Sequence, residues 1–286
     1  MFNVIKTIAT ITLSRLERMA GCFVQIKFLP ETISAEEATY PGLQGREEIT
    51  ILMQGPVVRD RNFTLETLKA YRRRYPDIPI VFSTWIDDAA YVERRLKGYG
   101  ISIVSSNYPV NPGKQNILLQ SRTVMAAKSL IDSKYVLKTR SDQRVYASED
   151  WLAHLRKAHD ARYHLGCKFI SCNLNAYAFR PLIISDMFLF GLSNDIFDYF
   201  LSLDEEYLSQ DLLDNFNMDG PEAIFLAGYM ERQKLSNSQL EDLQHMVDYR
   251  VLELYWFKYN RFIDGPARNV HGVKRRYKSV LNQRVF

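Results

Sequence analysis

The chain has 286 residues, of which 47% are hydrophobic and 24% are charged, and its formal net charge is +4. This composition is typical of a globular protein with a sizeable core, and it argues against a disordered chain and against a coiled coil. The mild positive charge is compatible with an anionic ligand or a membrane surface. Nucleic-acid-binding proteins usually show denser basic clustering, so we expect no nucleic-acid partner.

The three cysteines, Cys22, Cys167 and Cys172, do not have the spacing of a zinc site, and we expect buried, reduced thiols. No apolar run reaches the length of about 18 residues that a membrane-spanning helix needs. The N-terminal stretch lacks the cleavage pattern of a signal peptide. We therefore expect a cytoplasmic protein.

Two regions are predicted from composition. Residues 1–48 are expected to form a helix and a strand followed by a polar linker, in which Pro41 and Gly42 indicate a turn. Residues 49–286 are expected to form a single domain that ends in an aromatic and then basic extension.

Strands and helices alternate through the first part of this domain. Buried strands are predicted at Ile49–Met53, Pro79–Trp85, Ile101–Val104 and Lys134–Lys138. Helices are predicted between them, from Asn62 to Pro76, from Asp87 to Leu96 and from Gln115 to Ile131. This pattern predicts an α/β fold with a mostly parallel, twisted sheet and helices on both faces.

Beyond Asp142 the alternation is looser. Strands are predicted at Phe169–Cys172 and within residues 182–191, and Asp186 lies in the second of these among large apolar residues. A further helix is predicted from Pro221, because proline suits the first helical turn. Glu222 would then lie near the positive end of that helix.

A cluster of charge follows the fourth predicted strand: Lys138, Arg140, Asp142 and Arg144 alternate with other residues. A buried strand that ends in this way delivers polar side chains to the rim of a sheet, where open α/β folds bind ligands. Three cations around one carboxylate suit a phosphate-rich ligand, with the carboxylate holding a metal or a ribose. We expect Arg140 and Asp142 at an exposed rim. A solvated charge run at a strand exit is the alternative.

Several common motifs do not occur. The sequence contains no GxGxxG, no GxxxxGK[ST] and no GxSxG, which argues against a dinucleotide fingerprint, a P-loop and a nucleophile elbow. The five histidines do not form HExxH.

Taken together, the strand ends resemble a known family. The segments Ile51–Pro56, Phe82–Trp85 and Tyr135–Asp142 are similar in order and spacing to blocks of the WavE lipopolysaccharide-synthesis family. Two further similarities are the polar helix stripe Asn116, Gln120 and Thr123, and the segment Ile184–Phe188. The resemblance covers roughly Ile49 to Glu231.

This resemblance implies a GT-A-type fold and a glycosyltransferase that moves a sugar from a nucleoside-diphosphate sugar to a lipopolysaccharide or capsular polysaccharide acceptor. It assigns Lys138, Arg140 and Arg144 to the diphosphate. Nucleotide-sugar binding would also involve the strand-end and helix residues Gln54, Gly55, Ser83, Thr84, Trp85, Asn116 and Gln120, with the Trp85 indole as a stacking surface.

The sequence departs from the usual GT-A pattern at one position. Where such enzymes generally carry Asp-x-Asp, this chain has Arg140-Ser141-Asp142, so Asp142 matches the second, metal-holding aspartate and a cation replaces the first. We expect Mg²⁺ or Mn²⁺ on Asp142. The alternative is a metal-free diphosphate clamp, because an arginine can neutralise a diphosphate directly.

Glycosyl transfer also needs a base for the acceptor hydroxyl, and the candidates are Asp186 and Glu222. Burial in an apolar strand would raise the pKa of Asp186. Each residue has a structural alternative: Asp186 would pair with a nearby arginine or cap a backbone turn, and Glu222 would interact only with the helix dipole.

Two other classes stay open. One is a nucleotidyltransferase that makes an activated sugar, for which Gln54–Arg59 would be a poor version of the glycine-rich basic loop. The other is a non-catalytic polysaccharide-assembly protein. If the chain is a transferase, its acceptor would lie at the inner face of the inner membrane, and the basic segment Lys274–Lys278 would give weak peripheral attachment.

Overall fold

The computed structural model describes residues 48–113, 116–147, 150–172, 184–201, 221–248 and 251–257. The expected N-terminal helix, strand and linker (all but Glu48) and the basic C-terminal extension lie outside these residues. The division of the chain at residue 48 therefore stays a prediction.

A seven-stranded sheet lies at the centre of the described part of the chain, in the order β3-β2-β1-β4-β7-β6-β8. Its strands are β1 (Ile49–Gln54), β2 (Ile80–Trp85), β3 (Ser102–Ser106), β4 (Tyr135–Arg140), β6 (Phe169–Cys172), β7 (Phe188–Leu192) and β8 (Gln244–Val247). Neighbouring strands are parallel except where β7 pairs with β4 and β6. The predicted mostly parallel sheet is confirmed.

The helices of the described residues are α1 (Phe63–Arg74), α2 (Ile86–Leu96), α3 (Ile117–Ala126), α4 (Trp151–Tyr163), α5 (Ser193–Leu201), α6 (Pro221–Arg232) and the short α7 (Leu240–Leu243). Turns of 3₁₀ helix occur at Asp60–Asn62, Lys128–Leu130 and Asn237–Gln239.

Helices cover both faces of the sheet, as predicted, because successive strand side chains point to opposite faces. Ile51 and Met53 of β1 face the core that contains α1, α2 and α4, whereas Leu52 between them faces the core that contains α3, α5 and α6. Polar residues at the strand ends follow the same alternation, which brings Gln54 and Lys138 to the α3 and α5 side.

Two bounds differ from the prediction in ways that affect the site. Strand β4 continues to Arg140 because its ladder with β1 extends to the pair Gln54 and Arg140. Strand β7 begins only at Phe188, and Asp186 lies in the turn before it. The placement of Asp186 within a strand was therefore wrong. Its carboxylate lies at the sheet edge, where the β4–β7 ladder has ended.

A second, two-stranded sheet lies directly after β4. Strand β5 (Gln143–Val145) pairs antiparallel with β9 (Leu254–Trp256), and Phe257 N–H donates to the Asp142 carbonyl. The rings of Tyr255 and Phe257 lie 5.7 and 4.9 Å from that of Phe63 on α1. The beginning of the aromatic tail thus packs as core beside the end of β4.

Candidate active site

The described site lies at one edge of the sheet. The parallel strands β1, β2 and β4 end at this edge, and the antiparallel β7 begins there, because Phe188 pairs with Thr139. Five charged residues come together at this edge: Lys138 and Arg140 of β4, Asp142 after it, Asp186 before β7, and Glu222 in the first turn of α6.

Arg140 and Asp142 form a two-point ion pair. Arg140 Nε and Nη2 donate to Oδ1 and Oδ2 of Asp142 at 2.9 and 3.1 Å. Trp256 Nε1 of β9 donates to the same Oδ2 at 2.9 Å, and the guanidinium lies 5.8 Å from the indole ring. Both oxygens of Asp142 are therefore occupied by N–H groups.

The two charges stabilise each other against burial. Burial favours the neutral acid, but the charge and hydrogen bonds of Arg140, together with Trp256, lower the pKa of Asp142 overall. Burial likewise opposes the charge of Arg140, yet Asp142 raises the pKa of that group overall. We conclude that the pair is ionised at neutral pH.

The rim is less exposed than the sequence predicts. The exposed fraction of the Arg140 side chain is 26%, and that of Asp142 is 12%. The expectation of an exposed rim was wrong for Asp142, which β9 covers, whereas Arg140 is partly exposed.

Lys138 lies fully buried behind this pair. Its Nζ donates to the backbone carbonyl of Asp186 and lies 4.9 Å from the ring centroid of Phe200. Burial lowers the pKa of Lys138 to about 8, although the carboxylates of Asp186, Asp142 and Glu222 oppose that shift. Lys138 thus holds the turn that carries Asp186 and is not open to a ligand.

The two candidate bases, Asp186 and Glu222, are neighbours. Burial and then the charge of Asp186, with a side-chain hydrogen bond between the two, raise the pKa of Glu222 to about 7. Asp186 is buried and its Oδ2 has no hydrogen-bond partner among the described residues, whereas Glu222 is partly exposed. Glu222 therefore gains or loses its proton near neutral pH, beside the buried carboxyl group of Asp186.

Tyr199 of α5 holds the two segments together. Its hydroxyl lies 3.1 Å from the carbonyl oxygen of Ile184 and 3.2 Å from that of Glu222, and the side chain is fully buried. Burial, with the charges of Asp186 and Glu222, raises the pKa of Tyr199 well above its ordinary value. The hydroxyl is thus neutral, and it links the backbones of the two segments that carry Asp186 and Glu222.

Gly55 brings the β1 loop against the end of β4. Its φ of +125° favours glycine, and a Cβ there would lie 2.7 Å from Ser141 Oγ. Ser141 Oγ donates to the Pro56 carbonyl at 2.6 Å, and Ser141 N–H donates to the Gln54 carbonyl. The predicted site residue Gly55 therefore lies beside Arg140 and Asp142 as a packing requirement.

The loop after Gly55 has its amides paired internally. Val57 N–H donates to Asp88 Oδ2 at 3.0 Å, and Val58 N–H donates to Thr64 Oγ1 at 2.8 Å. Asp88 also binds Arg59 Nη2 at 2.9 Å. These amides are not available to cradle a phosphate.

The three predicted residues at the end of β2 are buried. Ser83 Oγ donates to the Thr123 carbonyl, and Thr84 Oγ1 has no hydrogen-bond partner in the part of the chain that the structure describes. The Trp85 indole is stacked on Tyr108, with ring centroids 4.1 Å apart and an interplanar angle of 19°. Tyr108 is 50% exposed, so it is Tyr108 that presents an aromatic ring to solvent.

The predicted polar stripe of α3 is only partly brought to the site. Thr123 Oγ1 lies 2.8 Å from Gln54 Oε1, which links α3 to the end of β1. Gln120 is partly buried and its Oε1 has no hydrogen-bond partner within the described ranges, and Asn116 is exposed at the start of α3. Gln54 thus lies next to Arg140 across the β1–β4 ladder, whereas Asn116 contacts none of the charged cluster in the interactions described.

Arg144 is not brought to the charged cluster. It is buried against α1, where its Nε donates to Thr67 Oγ1 at 2.8 Å and its Nη2 donates to the Phe63 carbonyl at 3.1 Å. Its guanidinium also lies 4.6 Å from the Phe63 ring centroid. The structure therefore gives Arg144 a packing role, because alternation along β5 turns it to the face that α1 covers.

The side chains of the described residues do not fit a divalent cation on Asp142. Both carboxylate oxygens already accept N–H groups, and a guanidinium occupies the position of the first aspartate of Asp-x-Asp. Within the described ranges, no group of three His, Cys, Asp or Glu residues could hold a metal ion. No step of the reaction proposed below uses a metal ion.

Two residues of the cluster were missed by the sequence analysis. The aromatic run around Trp256 was noted, but nothing local to it indicates that its indole reaches Asp142. Tyr199 lies in an ordinary amphipathic helix, and no sequence signal marks its contact with Glu222.

No family model and no curated protein matches the chain. Solved structures resemble it at the level of the fold. One is 4-diphosphocytidyl-2C-methyl-D-erythritol synthase from Anaerococcus prevotii, at 13% identity and a TM-score of 0.41, covering 70% of this chain and 89% of that one.

Two further similar structures are glycosyltransferases. Mouse xyloside xylosyltransferase 1 has 9% identity and a TM-score of 0.41, covering 70% of this chain and 85% of that one. The glycosyltransferase GlyE of Streptococcus pneumoniae has 10% identity and a TM-score of 0.39, and the match covers 78% of this chain and 51% of that one. Likenesses at this level carry no inference about activity.

In the part of the chain that the structure describes, none of the helices combines the length and the apolar composition that crossing a bilayer requires.

Proposed function

We propose that the chain is a glycosyltransferase that uses a nucleoside-diphosphate sugar. The proposal rests on one observation: the carboxyl groups of Asp186 and Glu222 are neighbours. They lie beside Lys138 and Arg140, at the edge where the parallel strands end. A base with a pKa of about 7 next to a fixed cation suits the transfer of a sugar from a diphosphate to a hydroxyl.

On the donor side, Arg140 would contact the diphosphate, with Lys138 behind it as a positioning residue. The nucleoside would lie over the ends of β1 and β2, near Gln54 and the exposed ring of Tyr108. In the transfer step the acceptor oxygen bonds to the anomeric carbon as the bond from that carbon to the diphosphate oxygen breaks. The electron pair leaves with the diphosphate, which the guanidinium stabilises.

On the acceptor side, the carboxyl pair would take the hydroxyl proton. Glu222 is the partly exposed member and is the group that would touch the acceptor, while Asp186, fully buried, sets its proton affinity.

The finer assignment rests on the resemblance to the WavE family. It proposes residues 49–286 as the catalytic unit and a lipopolysaccharide or capsular polysaccharide as the acceptor, at the cytoplasmic face of the inner membrane. The basic segment Lys274–Lys278 would attach the enzyme weakly to anionic lipid, at about 1 kcal/mol per cation. Neutralising its four cations should abolish salt-sensitive membrane association; wholly soluble wild-type protein at low salt would contradict this part.

A nucleotidyltransferase would need backbone amides that cradle a triphosphate after β1. Val57 and Val58 already donate to Asp88 and Thr64, which disfavours that alternative. A non-catalytic protein would have no use for a carboxyl group with a raised pKa such as that of Glu222, because its burial costs stability.

The experiment is a product assay with a panel of nucleoside-diphosphate sugars, run on wild type and on Glu222→Gln. We expect release of a nucleoside diphosphate, and a loss of about 10²- to 10⁴-fold in kcat for Glu222→Gln without loss of folding. Release of pyrophosphate from a nucleoside triphosphate and a sugar phosphate would favour the nucleotidyltransferase instead. Full activity in Glu222→Gln would remove the carboxyl pair from the mechanism.

A further inference from the structure

We infer that Arg140, fixed by Asp142 and Trp256, binds the donor diphosphate directly, so that the site works without a divalent cation. This inference rests on the proposed function and concerns what neutralises the leaving group. It reverses the sequence-based expectation of Mg²⁺ or Mn²⁺ on Asp142.

The carboxylate of Asp142 is already hydrogen-bonded. Asp142 accepts three N–H groups at 2.9–3.1 Å, two from Arg140 and one from Trp256. A divalent ion would need these oxygens at about 2.0–2.6 Å, with several more oxygen ligands around it. Binding the ion would therefore displace a charge-assisted hydrogen bond that the buried carboxylate now depends on.

The charge around Asp142 also disfavours a cation. The guanidinium of Arg140 lies within hydrogen-bond distance of both Asp142 oxygens, so an ion bound there would meet a fixed positive charge. The other nearby carboxyl groups are Asp186 and Glu222, and burial with the charge of Asp186 raises the pKa of Glu222 to about 7. A protonated Glu222 is a poor ligand for a hard cation.

Arg140 still has N–H donors for a ligand. A guanidinium carries five N–H donors, and Asp142 uses one on Nε and one on Nη2. Nη1 makes no hydrogen bond within the described chain, and 26% of the side chain is exposed. The remaining donors have the fork geometry that matches phosphate oxygens.

The guanidinium of Arg140 is held in one orientation. Asp142 and Trp256 fix the plane of the guanidinium before any ligand arrives, and such preorganised donors stabilise developing charge most effectively. The charge of Asp142 offsets that of Arg140, so Arg140 contributes directional hydrogen bonds. Lys138, buried behind it, adds positive charge next to the pair.

The test measures binding, not turnover. Titration calorimetry would follow pyrophosphate and UDP, GDP, CDP and ADP, in EDTA and in Mn²⁺, on the full chain. The inference predicts a diphosphate Kd in EDTA within about threefold of that in Mn²⁺, and a loss of at least about tenfold in Arg140→Lys, which keeps the charge but not the fork.

A second variant and a control complete the design. Arg140→Gln/Asp142→Asn replaces the ion pair by neutral hydrogen-bonding groups and should fold yet lose the EDTA-resistant binding. Arg156→Gln is the control, because Arg156 is likewise ion-paired, with Glu48 at 2.8 Å, and its side chain is 25% exposed, but it lies at the opposite edge of the sheet. It should bind diphosphate as wild type does.

The outcomes separate the two proposals. Binding that requires Mn²⁺ overturns this inference and leaves the glycosyltransferase proposal standing. Binding of pyrophosphate in EDTA, with none of the four nucleotides, supports the inference and contradicts the proposed donor. Unchanged binding in Arg140→Lys and in the double variant overturns the role of Arg140, and no binding of any diphosphate in either condition overturns both proposals.

Discussion

The indole of Trp256 donates a hydrogen bond to Asp142 at 2.9 Å, across 114 residues of sequence. The bond ties strand β9 to the end of β4 and occupies an oxygen that the sequence assigned to a metal. Removing a donor from a buried carboxylate costs more than an average hydrogen bond contributes, because the acceptor is left without its partner.

We therefore expect Trp256→Phe to lower the free energy of unfolding by about 1–3 kcal/mol, measured by urea denaturation. A double-mutant cycle with Asp142→Asn separates the hydrogen bond from the lost packing of the indole. A coupling free energy below about 0.5 kcal/mol would show that the bond contributes little to stability.

Gly55→Ala should destabilise the protein more than Gly98→Ala does. Both glycines have positive φ, +125° and +86°, so each alanine carries backbone strain of roughly 1–3 kcal/mol. Only at Gly55 would the new Cβ meet a neighbour, Ser141 Oγ at 2.7 Å, whereas nothing lies within 4 Å at Gly98. Thermal unfolding of both variants measures the difference.

The Ser141→Ala background identifies the cause of that difference. Without the hydroxyl, the cost of adding Gly55→Ala should fall toward the cost of Gly98→Ala. An unchanged cost would mean that φ alone decides it, and that the close approach of Ser141 is not restrictive.

Glu222→Gln should change how stability depends on pH. The pKa of Glu222 rises from its ordinary value of 4.5 to about 7 on folding, so the folded state binds the proton more tightly than the unfolded state. Below pH 4.5 the Glu222 carboxyl group is protonated in both states, so its burial does not reduce the free energy of unfolding. That free energy falls as the pH rises from 4.5 through 7. Glu222→Gln has no carboxyl group here and does not lose stability in this way.

The stability difference between Glu222→Gln and wild type should therefore grow across this window, to about 3 kcal/mol at most. Urea denaturation at a series of pH values measures it. Glu66→Gln, which also removes a carboxylate from the first turn of a helix, controls for the helix dipole. Parallel curves for wild type and Glu222→Gln would contradict the raised pKa of Glu222.

Lys138→Met should shift the pH profile of activity. Four groups with charge or a titratable proton face Glu222: Asp186 from the turn before β7, Lys138 and Arg140 from β4, and Tyr199 from α5. In wild type we expect kcat/KM to rise as Glu222 loses its proton near pH 7 and to fall as Lys138 loses its own near pH 8.

The positive charge of Lys138 lowers the pKa of Glu222, so removing that charge should move the acidic limb to higher pH and abolish the alkaline limb. The pH dependence of kcat/KM for both proteins is the measurement. An acidic limb that stays in place would mean that a group other than Glu222 acts as the base.

Local patterns in the sequence were enough for the architecture. The alternation of apolar strands such as Ile49–Met53 with amphipathic helices specifies a mostly parallel sheet, because the crossover connections leave few other arrangements. The same rule predicts that Gln54, Lys138, Arg140 and Asp142 meet at one edge, since parallel strands that start together also end together.

Only the tertiary structure decided which of these residues remain available to a ligand. Arg144 differs from Arg140 by four positions, yet the chain turns between them and enters the second sheet, which buries Arg144 against Phe63 and Thr67. Arg140 keeps donors that make no hydrogen bond within the described residues. Trp256, Asp186 and Glu222 reach the site from elements far along the chain. Their contacts depend on how β9, β7 and α6 pack, and no local sequence pattern encodes packing between distant segments.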